Sequence, residues 1–283
     1  MTKRIVLCAD DYGQAPPIST GILNLVKHQR LSAVSCLVNT PWCMQHGPWL
    51  LPFQNQIDIG LHFNLTEGKA LSPLFIQKYG DTFFSLSTCI RQACLHQLDS
   101  AVIAAELHAQ IDQFKAAMGF LPRFLDGHQH VHQFPIIRQA VIDVCRQRFA
   151  GQTFYVRWVN EPMGIDWIKN PKKIVIYLMG TRAFGRLLQQ SHMAHNSAFA
   201  GIYPFSGHGY DQLFPNFLRM ISTAKNGLIM CHPGLFTDAV LHTVEPLARA
   251  RNDEYQYLMS DQFLSDCEKQ KVVIGRFALD NKG

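Results

Sequence analysis

Histidine recurs at every second position in LDGHQHVHQFP, residues 125–135, where His128, His130 and His132 follow Asp126 in one register. On a helix, neighbours two apart point to nearly opposite sides, whereas on an extended segment they share a face. An extended reading therefore lines one surface with a carboxylate and three imidazoles, as metal ligands or acid and base groups would be lined. Other ionisable groups stand in short motifs elsewhere. CADDYG sets Asp10 beside Asp11, GLHFNL puts His62 and Asn64 opposite Leu61, Phe63 and Leu65, and CHPG presents His232 before a proline and a glycine. Two imidazoles and a carboxylate with an open position for water make a catalytic rather than a structural metal site. A nearby carboxylate then fixes the tautomer of an imidazole ligand. Of two adjacent carboxylates leaving a strand, one can hold a cation while the other accepts a proton. Each motif alone has a plainer reading. Asp-Asp before Tyr-Gly also suits a turn, a lone strand histidine is more often structural, and a histidine run also suits a solvated loop.

Position along the chain raises the functional reading. Apolar runs at 4–10, 33–39, 57–63, 123–128, 154–159, 173–179, 227–233 and 271–277 read as strands. Helical patterns fall between them at 18–30, 101–118 and 136–149, the second ending at Gly119 and Pro122. Strand and helix alternate, which predicts a parallel sheet with crossover helices: an α/β fold, a distorted TIM-like (β/α) barrel, with an open doubly wound sheet as the alternative. The candidate residues fall at carboxyl ends of strands, and in such a barrel those ends meet at one face that carries the active site. No linker divides the chain, so residues 1–283 read as a single domain, with long loops near 66–100 and 180–226.

Composition limits the remaining classes. With 47% hydrophobic and 17% charged residues the chain reads as globular. Its formal charge of +5 is spread without a basic run, which argues against a nucleic-acid partner. The N-terminus lacks a signal-peptide core and no stretch is long enough for a membrane span, so the expected location is cytoplasmic. Eight cysteines without a C-x-x-C pair read mostly as buried, reduced thiols.

At these motifs the sequence resembles the YdjC/ChbG family of carbohydrate deacetylases. The matching pieces are ADDYG (9–13), GLHFNLTEG (60–68), LDGHQHVHQFP (125–135) and CHPG (231–234), and EPLARARNDEYQYL (245–258) is similar to the family's C-terminal segment. The resemblance implies a NodB-like barrel, one divalent metal ion (Mg²⁺ or Zn²⁺), and removal of an acetyl group from an N-acetylated sugar or oligosaccharide. Residue by residue it implies Asp11, His62 and His128 as metal ligands, Asp10 as base and His232 as acid. The family often shows DSHHHVH where this chain has DGHQHVH; the substitutions fall at positions that are not ligands. Asp126 is expected to support a histidine, and His130 and His132 to back the ligands or touch substrate. Arg157 is a candidate for orienting Asp10 or the substrate, with an ordinary surface ion pair as its alternative. Arg251 and Glu254, three apart on a helix, read as a plain ion pair. Residues 160–226 match only loosely and do not specify the sugar.

Two rivals stand beside this reading. A metal-dependent hydrolase of another bond, such as a phosphoester, would use similar ligands, but there is no Gly-rich phosphate loop and no second carboxylate cluster for a two-metal site. A non-catalytic sugar-binding protein on the same fold would need neither the Asp10 base nor the His232 acid. Barrels often pair through their outer helices, which leaves a homodimer open.

Overall fold

Residues 3–161, 171–205, 209–221, 224–236 and 247–278 are described in a computed structural model. At its centre runs β1 (Lys3–Tyr12), exposed only at its first two residues. On one side of β1 lie, in order, β2 (Ala33–Cys36), β3 (Asp58–Phe63), β4 (Phe124–Gly127) and β5 (Tyr155–Val156), all in parallel. On the other lie β7 (Gly227–Cys231) and then β6 (Ala198–Ala200), while β8 (Val272–Ile274) pairs with Lys3–Ile5 at the start of β1. The sheet curls until its ends meet at a single bridge, Val156 to His195, next to a 2.9 Å hydrogen bond from the Val156 amide to the Ala194 carbonyl. This is the expected distorted (β/α) barrel.

The helices among the described residues are α1 (Pro16–Lys27), α2 (Pro41–His46), α3 (Pro73–Tyr79), α4 (Leu86–Cys94), α5 (Ser100–Met118), α6 (Ile137–Arg148), α7 (Pro171–Ile176), α8 (Arg182–Gln190), α9 (Tyr210–Ile221), α10 (Ala248–Met259) and α11 (Asp261–Lys269). Helix α5 follows from its sequence: Asp99 caps the Ala101 amide, Ile103, Leu107, Ile111, Phe114 and Met118 are buried along one stripe, and left-handed Gly119 ends it. None of these helices is long and apolar enough to cross a membrane.

Strand alternation divides the apolar residues into two cores. Ile5, Leu7 and Ala9 pack outward against the helices, whereas Val6 and Cys8 join Phe124, Tyr155, Phe199, Leu228 and Met230 inside the barrel. Gly60 belongs to the interior too, because the Phe124 ring occupies the space of its missing side chain. At the amino ends of the strands Phe277 stacks on Tyr155 and Arg276 Nε donates to Asp58 at 2.8 Å, which closes the floor. Polar interior residues therefore gather at the opposite, carboxyl end.

Three expectations need correction. The run 173–179 is helical, forming α7 and a π-helical turn (Tyr177–Thr181), because packing rather than β-branched propensity decides a short apolar segment. The stretch 66–100, expected as loop, contains α3 and α4; the serines that suggested loop are caps, Ser72 and Ser85 accepting from the Phe75 and Thr88 amides. The described part of 180–226 likewise holds α8, β6 and α9. All eight cysteines are free, and all but Cys94 are buried.

Candidate metal centre and active site

Asp10 continues the inward series Val6, Cys8 on β1, so ordinary alternation would turn Asp11 away toward the helices. A register shift between Ala9 and Tyr12 and a left-handed backbone at Asp11 (φ 67°) prevent this. Aspartate tolerates that region better than most side chains. The bulge thereby delivers both carboxylates to one place.

Asp11 Oδ1 lies 3.3 Å from His62 Nε2 and 3.0 Å from His128 Nδ1. One donor atom from each of these buried residues falls within 4.8 Å of the others. Each is also held from behind. Asp126 Oδ1 is 2.6 Å from His62 Nδ1 and 2.5 Å from Ser35 Oγ, Glu67 Oε1 is 3.2 Å from His128 Nε2, and Arg251 Nη2 donates to Asp11 Oδ2 at 2.6 Å. Two imidazoles and a carboxylate so braced suit a small divalent cation.

The charges fit such an ion as well. Burial disfavours the charge on Asp11, but Arg251 and then His128 outweigh it and hold the carboxyl well below its usual range. Burial also opposes charge on His62, yet Asp126 and Asp10 push it up to about 10; His128 is raised in the same way by Asp11. The pocket thus draws positive charge onto its imidazoles, which a metal would supply in place of protons.

Arg157 is not a surface residue. Wholly buried, it donates to both oxygens of Asp10 at 2.6 Å and to Cys8 Sγ at 3.0 Å, and its Nη2 forms an ion pair with Asp126 Oδ2 at 2.5 Å. Cys8, Asp10 and Asp126 form a second group of potential ligands, but the guanidinium already stands against all three, as donor to Cys8 and Asp10 and as ion-pair partner of Asp126. Burial raises the Asp10 pKa, with Arg157 opposing and Asp126 adding to the rise; Asp126 is held low against burial by Arg157 and His62. A raised carboxylate is a stronger base.

The histidine run keeps its strand alternation only as far as His128. Gln129 and His130 are left-handed (φ 53° and 62°), so the four groups do not share one face. His130 lines the cavity, while His132 is buried beneath it, Nε2 donating to the Arg157 carbonyl at 2.9 Å. Burial pushes the His132 pKa down to about 4. Gly127 makes room for that ring: a side chain there would start 2.7 Å from His132 Nδ1.

A cavity of about 330 Å³ opens above this floor, lined by Asp10, Asp11, His62, His128 and His232 together. Residues more than 200 positions apart therefore converge as the barrel predicts. Leu86 and Ile90 of α4, Val175 and Ile176 of α7 and Met179 form an apolar wall, and Tyr203 and Phe205 stand near His232. Of the aromatic residues in the long connections, Phe75, Phe83 and Phe84 pack on one another instead.

Three contributors were not singled out by sequence reasoning, Ser35, Glu67 and Tyr203, and two more, Arg251 and Glu254, were not read as part of the site. Arg251 and Glu254 do not form the plain i,i+3 ion pair expected; both are buried, one on Asp11 and the other on the His232 amide at 2.5 Å. Burial raises Glu254 to about 7, against its bonds from Tyr203 and His232. A signal existed, since Ala248, Arg251, Tyr255 and Leu258 keep helical spacing and an arginine sits inside that stripe. Glu67 is aimed by its loop, where Asn64 Oδ1 accepts from the Thr66 and Glu67 amides.

The family model for "YdjC-like protein" matches residues 4–269. The chain belongs to the YdjC-like family. Among curated relatives, it is 26% identical over 98% of its length to a chitooligosaccharide deacetylase of Yersinia enterocolitica, covering 99% of that protein. It is 29% identical over 73% of its length to a human carbohydrate deacetylase, where the match spans 60% of the relative. The crystal structure of an Enterococcus faecalis V583 protein named for cellobiose-phosphate cleavage superposes with TM-score 0.75 over 98% of both chains at 19% identity, a likeness of fold. In this YdjC-like chain the motif residues and the cavity floor coincide.

Proposed function

We propose that the protein hydrolyses the acetamide of an N-acetylated sugar, with a divalent cation held by Asp11, His62 and His128. The observation that carries the reading is the meeting in one cavity of this ligand triad, a buried carboxylate aimed by Arg157 and a histidine just past the end of β7. The names of the Yersinia and human relatives support acetylated carbohydrate as the substrate class.

When bound, the metal would contribute Lewis acidity, lowering the pKa of a water and polarising an acetyl carbonyl. Asp10 takes the proton from the attacking water, helped by its raised pKa and fixed by the fork of Arg157. His232 gives a proton to the departing nitrogen, so the sugar leaves as an amine and the acyl group as acetate. Asp126 holds His62 in one orientation, and Glu67 does so for His128. The apolar wall of Leu86, Ile90 and Met179 excludes water from the reacting carbonyl.

The second cluster, Cys8, Asp10 and Asp126, is already filled by the Arg157 cation, which favours one-metal amide hydrolysis over two-metal phosphoester chemistry. Incubating the purified protein with N-acetylglucosamine oligomers and either zinc or magnesium, then following free amine, tests the proposal. Formation of amine and acetate in equal amounts supports it. Turnover of phosphoesters but not acetylated sugars sinks it. The single-domain reading of 1–283, cytoplasmic placement and a homodimer stand as further proposals.

A further inference from the structure

Helix α10 grips both polar main-chain atoms of His232. The His232 amide donates to Glu254 Oε2 at 2.5 Å, and its carbonyl accepts from Arg251 Nη1 at 3.4 Å. Two residues on, the Gly234 amide donates to the Arg251 carbonyl at 3.0 Å. The other Glu254 oxygen accepts from the Tyr203 hydroxyl at 2.5 Å. Glu254 has no solvent exposure, so these two donors replace its water, and an ionised carboxylate is the form that accepts on both oxygens. Apolar packing alone would not call for a buried carboxylate here.

The placement of these bonds matters for chemistry. The chain leaves β7 at Cys231 and turns through His232, Pro233 and Gly234. The imidazole hangs from the Cα between the two gripped peptide groups, so fixing them fixes the direction of its Cα–Cβ bond. Neither Glu254 nor Tyr203 belongs to the metal triad. We infer that Glu254 is a positioning residue for His232, setting the β7 exit turn through the main-chain amide so that the imidazole meets the departing nitrogen. This rests on the deacetylase reading above, in which the acetyl C–N bond breaks as His232 protonates nitrogen and water supplies the hydroxyl of acetate.

Glu254→Ala removes the acceptor, Glu254→Asp withdraws it by one methylene, and Glu254→Gln keeps an oxygen that can accept the amide hydrogen. On an N-acetylglucosamine oligomer, Ala and Asp should lower kcat by at least about tenfold, while Gln stays within about threefold of wild type. KM and zinc affinity, measured by calorimetry, should change by less than about threefold in all three variants, because neither depends on aiming the acid. If Ala does not fold, Asp carries the comparison. Wild-type kcat in Ala or Asp, or a loss of zinc affinity as large as the loss of kcat, overturns the assignment while leaving the deacetylase reading intact. Absence of acetate release by wild type with metal overturns that reading, and the role of Glu254 with it.

Discussion

Arg157 closes both terminal nitrogens on the carboxylate of Asp10, 2.6 Å from each oxygen, deep in the barrel. The same guanidinium reaches Asp126, so one planar cation sets the direction of two carboxylates. Lysine, a point charge, cannot reproduce that fork. Arg157→Lys should lower kcat by about a hundredfold, and by more than it lowers zinc affinity, since Asp10 is not a ligand while Asp126 still bears on His62. Arg157→Met leaves the buried Asp10 carboxylate without its ion-pair partner and strips one partner from Asp126, and should cost about 3–5 kcal/mol in urea unfolding. Wild-type kcat in the lysine variant would show that the fork does not aim the base.

Metal affinity should depend steeply on pH. The His62 pKa is raised to about 10 and that of His128 is raised too, so without a cation His62 is protonated at neutral pH and a metal must displace that proton. Apparent affinity for zinc should therefore climb by up to about tenfold per pH unit for each proton released, across the range below the raised pKa. Calorimetric titration at two pH values, in buffers of different ionisation enthalpy, checks both affinity and proton release. Asp126→Asn removes the charge behind His62 and should weaken zinc binding by about 10–100-fold.

His132 makes an opposite, purely structural contribution. Its folded pKa of about 4 lies below the ordinary 6.5, so between those values the unfolded chain binds the extra proton. Its share of stability is complete above pH 6.5 and is lost as pH falls toward 4, a change on the order of 3 kcal/mol. In urea unfolding, wild type should lose more stability over that interval than His132→Gln. Equal slopes would show that the ring is not held neutral.

Gly60 tests the barrel interior. A methyl group there would stand 2.5 Å from the Phe124 ring. Gly60→Ala should destabilise by about 1–3 kcal/mol, and adding Phe124→Leu should recover part of the loss. An alanine variant as stable as wild type in thermal unfolding would contradict the packing described.

Much of this site was legible because a parallel barrel turns distant sequence positions into one face. Knowing only that His62, Asp126, His128 and His232 end strands was enough to bring them together. What was hidden is what departs from regular periodicity. Strand alternation sends Asp11 outward, and only a left-handed residue within a register shift returns it. The histidine run loses its alternation at Gln129 for the same kind of reason. Arg157 reads equally well as a surface or a buried ion pair until its partners on β1 and β4 are in view. Glu254 acts on a main-chain atom, which leaves no trace in residue spacing. Propensity misled at 173–179, where a β-branched run packs as helix against the cavity.

The most direct test is acetate release from an N-acetylglucosamine oligomer by wild type, by wild type treated with chelator, and by Asp10→Asn, with zinc affinity measured beside it. Release should be abolished by chelation and restored by metal, and Asp10→Asn should bind zinc as wild type does yet release at least about a thousandfold less acetate. Zinc binding by a wild type that hydrolyses no acetylated sugar, or undiminished release by Asp10→Asn, would contradict the account.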